Sequence, residues 1–313
     1  MAKSSFAAKT VAFVLAALLC AACLLTLAAC KKKGGDEIDV ENGADKVVTQ
    51  RETDGAKYTF DNDCKLFVLI GVDEGSCTDP EGNELGGGRA NAIFIASVNT
   101  RTQKIDLIQL DQNAMVEMKV YERWGLTAGK TVAQLSLAYA YGGTDAESGM
   151  NVVNAVKTLT GLPVDSYVAV NSAALRDLVA VSGAVTVTLT EAYGNTAAGG
   201  QLTLTTAAEF EDFLRDQGFG IKANEKRMSR MRDFVPAFFN ALKDKASQIN
   251  LGNNIKTNID LAATLGEYGS YTLNTPVKAL AGQSQLVGDF VEFTVDEAAM
   301  IALLNGICYK KEG

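Results

Sequence analysis

The chain of 313 residues contains no histidine, so any chemistry has to come from carboxylates, arginines, lysines, hydroxyls or a hard metal ion. This absence excludes Ser-His-Asp and Cys-His catalysis and the usual zinc sites. Among the remaining residues, Asp73 directly follows an apolar run, and Arg227 and Arg230 lie three residues apart on one predicted helix face. Each of these residues could instead have a purely structural role. Asp73 could form a turn, and the two arginines could belong to a solvated helix face with Glu225 and Asp233.

Length and composition are those of a folded protein rather than a disordered chain. The residues are 47% hydrophobic and 21% charged, which is typical of a globular domain, and the length fits one such domain with a leader. The formal net charge is -8, and it becomes about -10 when Lys3 and Lys9 of the leader are left out. Because an acidic domain repels the phosphate backbone, we expect no nucleic-acid partner.

The first 30 residues have the order of a secretory signal peptide. An uncharged run from Val11 to Ala29 follows the two lysines, and Cys30 comes directly after it. The ending Leu27-Ala28-Ala29-Cys30 resembles a bacterial lipobox, in which the thiol of Cys30 receives a diacylglycerol group. An uncleaved transmembrane helix is the alternative, since about 20 apolar residues span a bilayer. The position of the cysteine favours an extracytoplasmic lipoprotein, anchored to the outer face of the cytoplasmic membrane.

A polar segment follows the leader. Lys31 to Gln50 is rich in Lys, Gly, Asp and Glu, which predicts a flexible tether, and we place the folded domain at residues 61–313, with 31–60 as tether. Cys64, Cys77 and Cys308 remain in the domain, so at most one disulfide can form there. Their spacing matches no zinc motif, and we expect Cys308 to be a buried, small apolar residue.

Apolar runs and helical spacing alternate along the rest of the chain. Strands are predicted at Leu66 to Ile70, Ala92 to Val98, Ile105 to Leu110, Tyr167 to Val170, Val185 to Leu189 and Phe290 to Thr294. Helices are predicted at Thr131 to Tyr141, Asn151 to Leu159, Ala173 to Val181, Thr206 to Arg215, Asn224 to Lys245, Asn258 to Leu265 and Asp296 to Ile307. This alternation predicts an α/β fold, with a central mixed sheet and helices on both faces.

Several segments follow one another in the order and at the spacing of a known family. They are Leu69-Ile70-Gly71-Val72-Asp73, Gly88-Arg89-Ala90-Asn91-Ala92-Ile93, Ile105 to Leu110 with the loop after it, Leu137-Ala138-Tyr139-Ala140-Tyr141-Gly142, Gly161-Leu162-Pro163-Val164-Asp165, and Arg227-Met228-Ser229-Arg230. The ordered set covers most of the chain from about Lys65 to Leu242. It resembles the LytR-CpsA-Psr family of bacterial cell-envelope proteins.

The resemblance implies both a fold and an activity. The fold would be an α/β sandwich that encloses an apolar slot for a polyprenyl chain. The activity would be transfer of a glycopolymer from a polyprenyl-pyrophosphate carrier to peptidoglycan, assisted by Mg²⁺. The candidate site residues are then Arg89, Arg215 and Arg227 for catalysis, Arg230, Gln112 and Gln217 for substrate binding, and Asp73 and Asn91 for the metal. Fixed arginines suit a pyrophosphate leaving group because they stabilise its developing negative charge.

The chain departs from the family pattern at several of these positions. Asn91 replaces an aspartate, Gln112-Asn113 replaces an Arg-Asp pair, Gln217 replaces the second residue of an Arg-x-Arg pair, and Met231 replaces a glutamine. A hydrogen bond to a charged group contributes about 1.5 to 3 kcal/mol. The loss of two phosphate-binding arginines therefore costs about 3 to 6 kcal/mol, roughly a hundred- to ten-thousand-fold in rate. We expect weakened catalysis.

Three functional hypotheses follow. The first is an extracytoplasmic LytR-CpsA-Psr lipoprotein that handles polyprenyl-pyrophosphate-linked glycopolymers and peptidoglycan with weakened catalysis. The second, motivated by the neutral replacements, is a non-catalytic module that binds polyprenyl phosphate or cell-wall polymer. The third is a solute-binding lipoprotein, which is less favoured because the sequence contains no pair of similar lobes.

Overall fold

The computed structural model describes residues 47–73, 77–78, 84–85, 88–121, 127–218, 220–243, 245, 248 and 254–312. The signal peptide, Cys30 and the first part of the predicted tether, through residue 46, lie outside these described residues. No helix in the described ranges is long and apolar enough to cross a membrane.

A sheet of seven strands forms the centre of the domain. Its strands are β3 (Cys64–Val72), β6 (Ala90–Asn99), β7 (Lys104–Leu110), β10 (Tyr167–Val170), β13 (Ile255–Thr257), β14 (Thr272–Leu273) and β15 (Lys278–Ala279). The order is β13-β10-β3-β6-β7-β14, and β15 also pairs with β7. Strand β3 is parallel to β10 and antiparallel to β6. The sheet is therefore mixed, as the sequence predicts.

Smaller sheets and hairpins surround it. A three-stranded sheet contains β1 (Gln50–Thr53), β2 (Ala56–Phe60) and β18 (Tyr309–Lys311). Two-stranded pairs are β4 (Cys77–Thr78) with β5 (Glu84–Leu85), β8 (Met115–Tyr121) with β9 (Thr127–Gln134), β11 (Val185–Thr188) with β12 (Gln201–Leu204), and β16 (Gly282–Val287) with β17 (Phe290–Val295).

Helices cover both faces of the central sheet. They are α1 (Leu137–Ala140), α2 (Asp145–Thr160), α3 (Ser172–Ser182), α4 (Ala207–Arg215), α5 (Ala223–Leu242), α6 (Leu261–Tyr268) and α7 (Glu297–Cys308). Because successive side chains of a strand point to opposite faces, Val68 packs in the core with α2 and α7, whereas Phe67 packs with α5 and α6. A further cluster joins α3, α4 and α5 to the β11–β12 hairpin. The predicted architecture is confirmed.

The predicted tether extends too far toward the domain. Residues 50–60 form β1 and β2 instead, and β2 pairs with β18 close to the carboxyl terminus. The ring of Phe60 packs edge-on against that of Tyr309, with 5.6 Å between their centroids. Strand β1 pairs with β2 across the turn Asp54-Gly55, which was an available hairpin signal in the sequence. Only the pairing of β2 with the distant β18 cannot be detected from local composition.

The helix predicted at Thr131 to Tyr141 is also wrong. Strand β9 occupies this stretch up to Gln134 and pairs with β8, and only Leu137–Ala140 is helical. Val132 is exposed and Ala133 beside it is buried, because neighbouring side chains of a strand point to opposite faces. Short apolar runs fit either period, and the hairpin partner decides between them.

Three further details correct or confirm the predictions from the sequence. Strand β11 belongs to a separate hairpin rather than the central sheet. Helix α6 begins at Leu261, because the side chain of Asp260 accepts a hydrogen bond from the Ala263 amide and caps the first turn. The described cysteines form no disulfide, and Cys308 is completely buried, as expected for a small apolar residue.

Candidate functional site

An apolar cavity of about 270 Å³ lies between the central sheet and helices α3, α4 and α5. Its apolar wall includes Leu69, Ala92, Leu175, Met231, Val235 and Phe238. Its polar wall contains Asp73, Asn91, Arg215, Gln217 and Arg227, together with neighbouring amide, hydroxyl and carboxylate groups. The volume is slightly below the roughly 300 to 1,000 Å³ of common ligand pockets. An apolar interior with arginines at its polar wall suits a molecule that has a hydrocarbon part and an anionic head.

Asp73 is placed at this opening by the end of β3 and by a close approach of two segments. A β-bulge follows Gly71, and the Asp73 amide donates to the Arg89 carbonyl oxygen over 2.9 Å. At Gly88 a Cβ atom would lie 1.6 Å from the Asp73 carbonyl oxygen, so any larger residue would push the segments apart. This contact explains the glycine directly before Arg89.

The carboxylate of Asp73 has partners on both oxygens. The Asn91 amide nitrogen donates to Oδ2 over 2.6 Å, and Nη2 of Arg215 lies 3.2 Å from Oδ1. Arg215 also donates to the hydroxyl of Ser172, and its Nη1 lies 3.9 Å from Glu211. The side chains of Asp73 and Arg215 are 45% and 52% exposed, so solvent screens their attraction and an anionic ligand can compete for the guanidinium.

Arg227 is the buried cation of the cavity wall, only 4% exposed. Nη2 donates to the Asn91 carbonyl oxygen and to Oε1 of Gln112, and Nε and Nη2 both contact Oδ1 of Asn224. These bonds fix the guanidinium, while Nη1 has no hydrogen bond to any described residue. Burial lowers the pKa of Arg227 to about 10, so the side chain remains positively charged at neutral pH.

Asp111 lies behind Arg227 and was not singled out by the sequence reasoning. Its carboxylate is 4% exposed and accepts hydrogen bonds from the Asn224 side chain over 2.7 Å and from the Asn113 amide over 2.8 Å. Burial raises its pKa, and the nearby positive charge of Arg227 opposes that shift. Because Asn224 contacts both groups, it links Asp111 to Arg227. The position directly after β7 was the available signal, since polar residues at strand ends often belong to sites.

The structure brings together most, but not all, of the predicted site residues. Asp73, Asn91, Arg215, Gln217 and Arg227 line the cavity, and Gln112 supports Arg227 from behind. The side chains of Arg89 and Arg230 are not part of the cavity wall.

Arg230 packs inside the domain instead. Its Nε donates to the Phe213 carbonyl oxygen over 3.1 Å, and its guanidinium carbon lies 4.6 Å from the centre of the Tyr193 ring. Burial lowers the pKa of Arg230. The i,i+3 spacing correctly placed Arg227 and Arg230 on one helix, but the helix turns them toward different surroundings.

The residues at the opening do not fit a magnesium ion in this arrangement. Mg²⁺ requires near-octahedral oxygen ligands, commonly one or two carboxylates with substrate phosphates and water. Asn91 directs its amide nitrogen at Asp73, and Arg215 pairs with the same carboxylate. No group of three or more Asp, Glu or Cys side chains that could hold a metal occurs within the described ranges. Positive charge at the opening comes from the arginines.

Comparison with known proteins decides the family. The model of the LytR_cpsA_psr family matches residues 30–285. The chain belongs to the LytR-CpsA-Psr family. A relative from Bacillus subtilis, the polyisoprenyl-teichoic acid–peptidoglycan teichoic acid transferase TagU, is 24% identical over 247 residues, which cover 74% of this chain and 73% of that protein.

Solved structures agree with this LytR-CpsA-Psr fold. The Lin1025 protein from Listeria innocua matches with a TM-score of 0.55 and 20% identity, over 78% of this chain and 97% of that chain. TagV from B. subtilis matches with a TM-score of 0.56 and 17% identity, over 78% of this chain and 96% of that chain. These likenesses establish the fold, and the match to the family model confirms the resemblance inferred from the ordered segments.

Proposed function

We propose that this LytR-CpsA-Psr protein binds a polyprenyl-(pyro)phosphate-linked glycopolymer in the apolar cavity and transfers the polymer to peptidoglycan, with weakened catalysis. The observation that carries the proposal is the pairing of an apolar interior with Arg215 and Arg227 at its polar wall. Each buried methylene group contributes about 0.8 kcal/mol, so a hydrocarbon chain gains affinity with every isoprene unit that enters. The name of TagU supports a polyisoprenyl donor and a peptidoglycan acceptor.

The proposed transfer is a displacement at phosphorus. A sugar hydroxyl oxygen of peptidoglycan bonds to the phosphorus that carries the glycan, and the bond from that phosphorus to the bridging oxygen breaks. Polyprenyl phosphate leaves with the bridging oxygen, and the hydroxyl proton passes to water. Nη1 of Arg227 and the exposed guanidinium of Arg215 stabilise the charge on the departing phosphate.

We propose that replacement of charged side chains slows this reaction. Gln112 contributes an oxygen that holds Arg227, where the resemblance leads us to expect a second cation for the substrate. Asn91 contributes an amide rather than a carboxylate, so Mg²⁺ assistance is weak. A weak transferase of this kind differs from a non-catalytic binding module only in that it retains measurable turnover. The module is favoured by the neutral protein acceptors that occupy Nε and Nη2 of Arg227.

A variant that combines Asn91→Asp, Gln112→Arg and Asn113→Asp restores the family pattern at these positions. Because one added charged hydrogen bond contributes about 1.5 to 3 kcal/mol, turnover rises roughly ten- to a hundred-fold. The gain requires Mg²⁺, whereas chelation changes wild-type turnover little. The assay measures labelled glycopolymer attached to peptidoglycan from a polyprenyl-pyrophosphate donor.

Gln283→Arg is the control, since Gln283 is exposed on β16 and lies outside the cavity wall. Wild-type turnover as fast after chelation as that of the restored variant with Mg²⁺ would contradict weakened catalysis. Lipid binding with no turnover in either protein would instead establish the binding module.

We also propose that the mature chain begins at a lipidated Cys30 on the outer face of the cytoplasmic membrane. The order of charged, apolar and small residues before Cys30 supports this anchor. Binding of a membrane-embedded carrier is easier for a protein that is tethered to the same membrane, because tethering raises the local concentration. The mass of the mature chain, without its leader and with a diacylglycerol group, checks this proposal.

A further inference from the structure

A second, polar pocket adjoins the apolar cavity. Its volume is about 410 Å³, and Val72, Asp73, Val170 and Asn171 line both spaces. These shared residues follow or end the parallel strands β3 and β10, so the wall between the two spaces stands at one edge of the central sheet. A group bound in the polar pocket therefore lies next to the opening where Arg215 pairs with Asp73.

The lining of the polar pocket includes several side chains that both donate and accept hydrogen bonds. Thr144 and Ser148 contribute hydroxyls, and Asn171 and Asn254 contribute amides. Oδ1 of Asn171 accepts from the Ala174 amide over 2.9 Å, while its amide nitrogen has no hydrogen bond to any described residue. Sugar hydroxyls need partners of this mixed kind, since each hydroxyl is both a donor and an acceptor.

The charges around the polar pocket are paired with one another. Nζ of Lys256 lies 2.9 Å from Oδ2 of Asp145, and Asp73 pairs with Arg215. No arginine is part of the pocket lining in the described ranges, so a phosphate has no guanidinium to bind there. The polar lining also disfavours a hydrocarbon chain. A neutral, hydroxyl-rich ligand fits this balance best.

Two glycines allow the backbone segments that form the walls of the polar pocket to contact each other directly. A Cβ atom at Gly142 would lie 2.3 Å from Cα of Ser148, and Gly88 makes the close approach to Asp73. Because side chains at these points would force the walls apart, the pocket depends on backbone segments that touch directly. The shape of the pocket is therefore determined by contacts between backbone segments of the fold, not by the short side chain of one surface residue.

We propose that the polar pocket binds a sugar ring of the peptidoglycan acceptor, which places its hydroxyl beside Asp73 and the opening of the apolar cavity. This inference rests on the proposed function, because it assigns the second substrate of the same site. The apolar cavity holds the carrier, the polar pocket holds the acceptor, and the shared wall brings the two together.

The test measures binding of a soluble disaccharide-peptide, released from peptidoglycan by a muramidase, to the full chain in lipid nanodiscs. Lys256→Trp replaces the paired lysine on β13 with a bulky ring that occupies part of the pocket, and tryptophan is well tolerated in strands. Lys130→Trp is the matched control, since Lys130 also lies on a strand and pairs with a carboxylate, that of Glu117, over 3.1 Å. Calorimetry gives both affinities, and polyprenyl phosphate binding is measured in parallel.

We expect Lys256→Trp to weaken fragment binding at least tenfold, and to change polyprenyl phosphate binding less than twofold. Asn171→Ser retains the helix cap but loses the amide nitrogen, so fragment binding falls roughly two- to tenfold. Fragment binding that survives Lys256→Trp, or that Lys130→Trp reduces equally, overturns the inference. The inference is also overturned if Lys256→Trp weakens only the binding of the glycan on the lipid-linked donor. Failure of wild-type protein to bind polyprenyl phosphate, with fragment binding still sensitive to Lys256→Trp, contradicts the proposed function alone.

Discussion

Arg227→Gln is expected to weaken binding of polyprenyl phosphate by roughly ten- to a hundred-fold. Arg227 retains its positive charge at neutral pH, since its pKa is about 10. Its Nη1 atom makes no hydrogen bond to any residue that the structure describes, so Nη1 is available to a phosphate oxygen. A hydrogen bond to a charged group contributes about 1.5 to 3 kcal/mol, which corresponds to this range of affinity. Glutamine is chosen because its amide can still donate to Asn224 and Gln112.

Arg232→Gln is the matched control for this substitution. Arg232 lies on the same helix α5, and its Nη1 donates to Oε1 of Gln109 over 2.9 Å, but it is not part of the cavity wall. Affinity is measured by calorimetry with short-chain polyprenyl phosphate, and thermal unfolding is measured alongside. Equal loss of affinity in both variants would mean that Arg227 acts through stability and not through contact with phosphate.

Leu175→Trp is expected to abolish lipid binding while the domain stays folded. Leu175 lies on α3 and lines the apolar cavity, so an indole ring there occupies the space of the hydrocarbon chain. If the ring displaces roughly five methylene groups, the loss is about 4 kcal/mol, close to a thousandfold in affinity. Filling an apolar cavity does not by itself lower stability when the new side chain fits.

Ala180→Trp provides the control on the same helix, because Ala180 is exposed and outside the cavity wall. The two variants are compared by calorimetry with polyprenyl phosphate and by thermal unfolding. Retained affinity in Leu175→Trp, with an unchanged melting temperature, would show that the lipid binds elsewhere.

The sequence predicts β3, β6, β7 and β10 of the central sheet because these strands carry their own apolar signals, whereas the short strands β13, β14 and β15 were not predicted. The apolar run before Gly71 is buried on both faces, which only a central strand requires, and the capping pair of Thr206 and Glu209 correctly marks the start of α4. By contrast, β1 and β9 each pair across a hairpin, and β2 pairs with the distant β18. The polar composition of β1 resembles a tether, although the turn Asp54-Gly55 was an available hairpin signal, and the short apolar run of β9 fits a helix as well as a strand.

The site was predictable in residue type and only partly in geometry. Asp73, Arg215 and Arg227 were identified from type and order, and the fold brings them to one cavity. The packing of Arg230 against Tyr193 depends on the exact turn of α5, and the link from Asp111 through Asn224 to Arg227 depends on tertiary contact. Spacing along a chain does not encode either of these contacts.

Native mass spectrometry of the full chain, purified from bacterial membranes in a mild detergent, tests the central claim most directly. We expect a polyprenyl phosphate to co-purify with the wild-type protein and to be lost from Leu175→Trp. A wild-type protein that carries no lipid, and that gains none when polyprenyl phosphate is added, would contradict the claim that the apolar cavity is a carrier site.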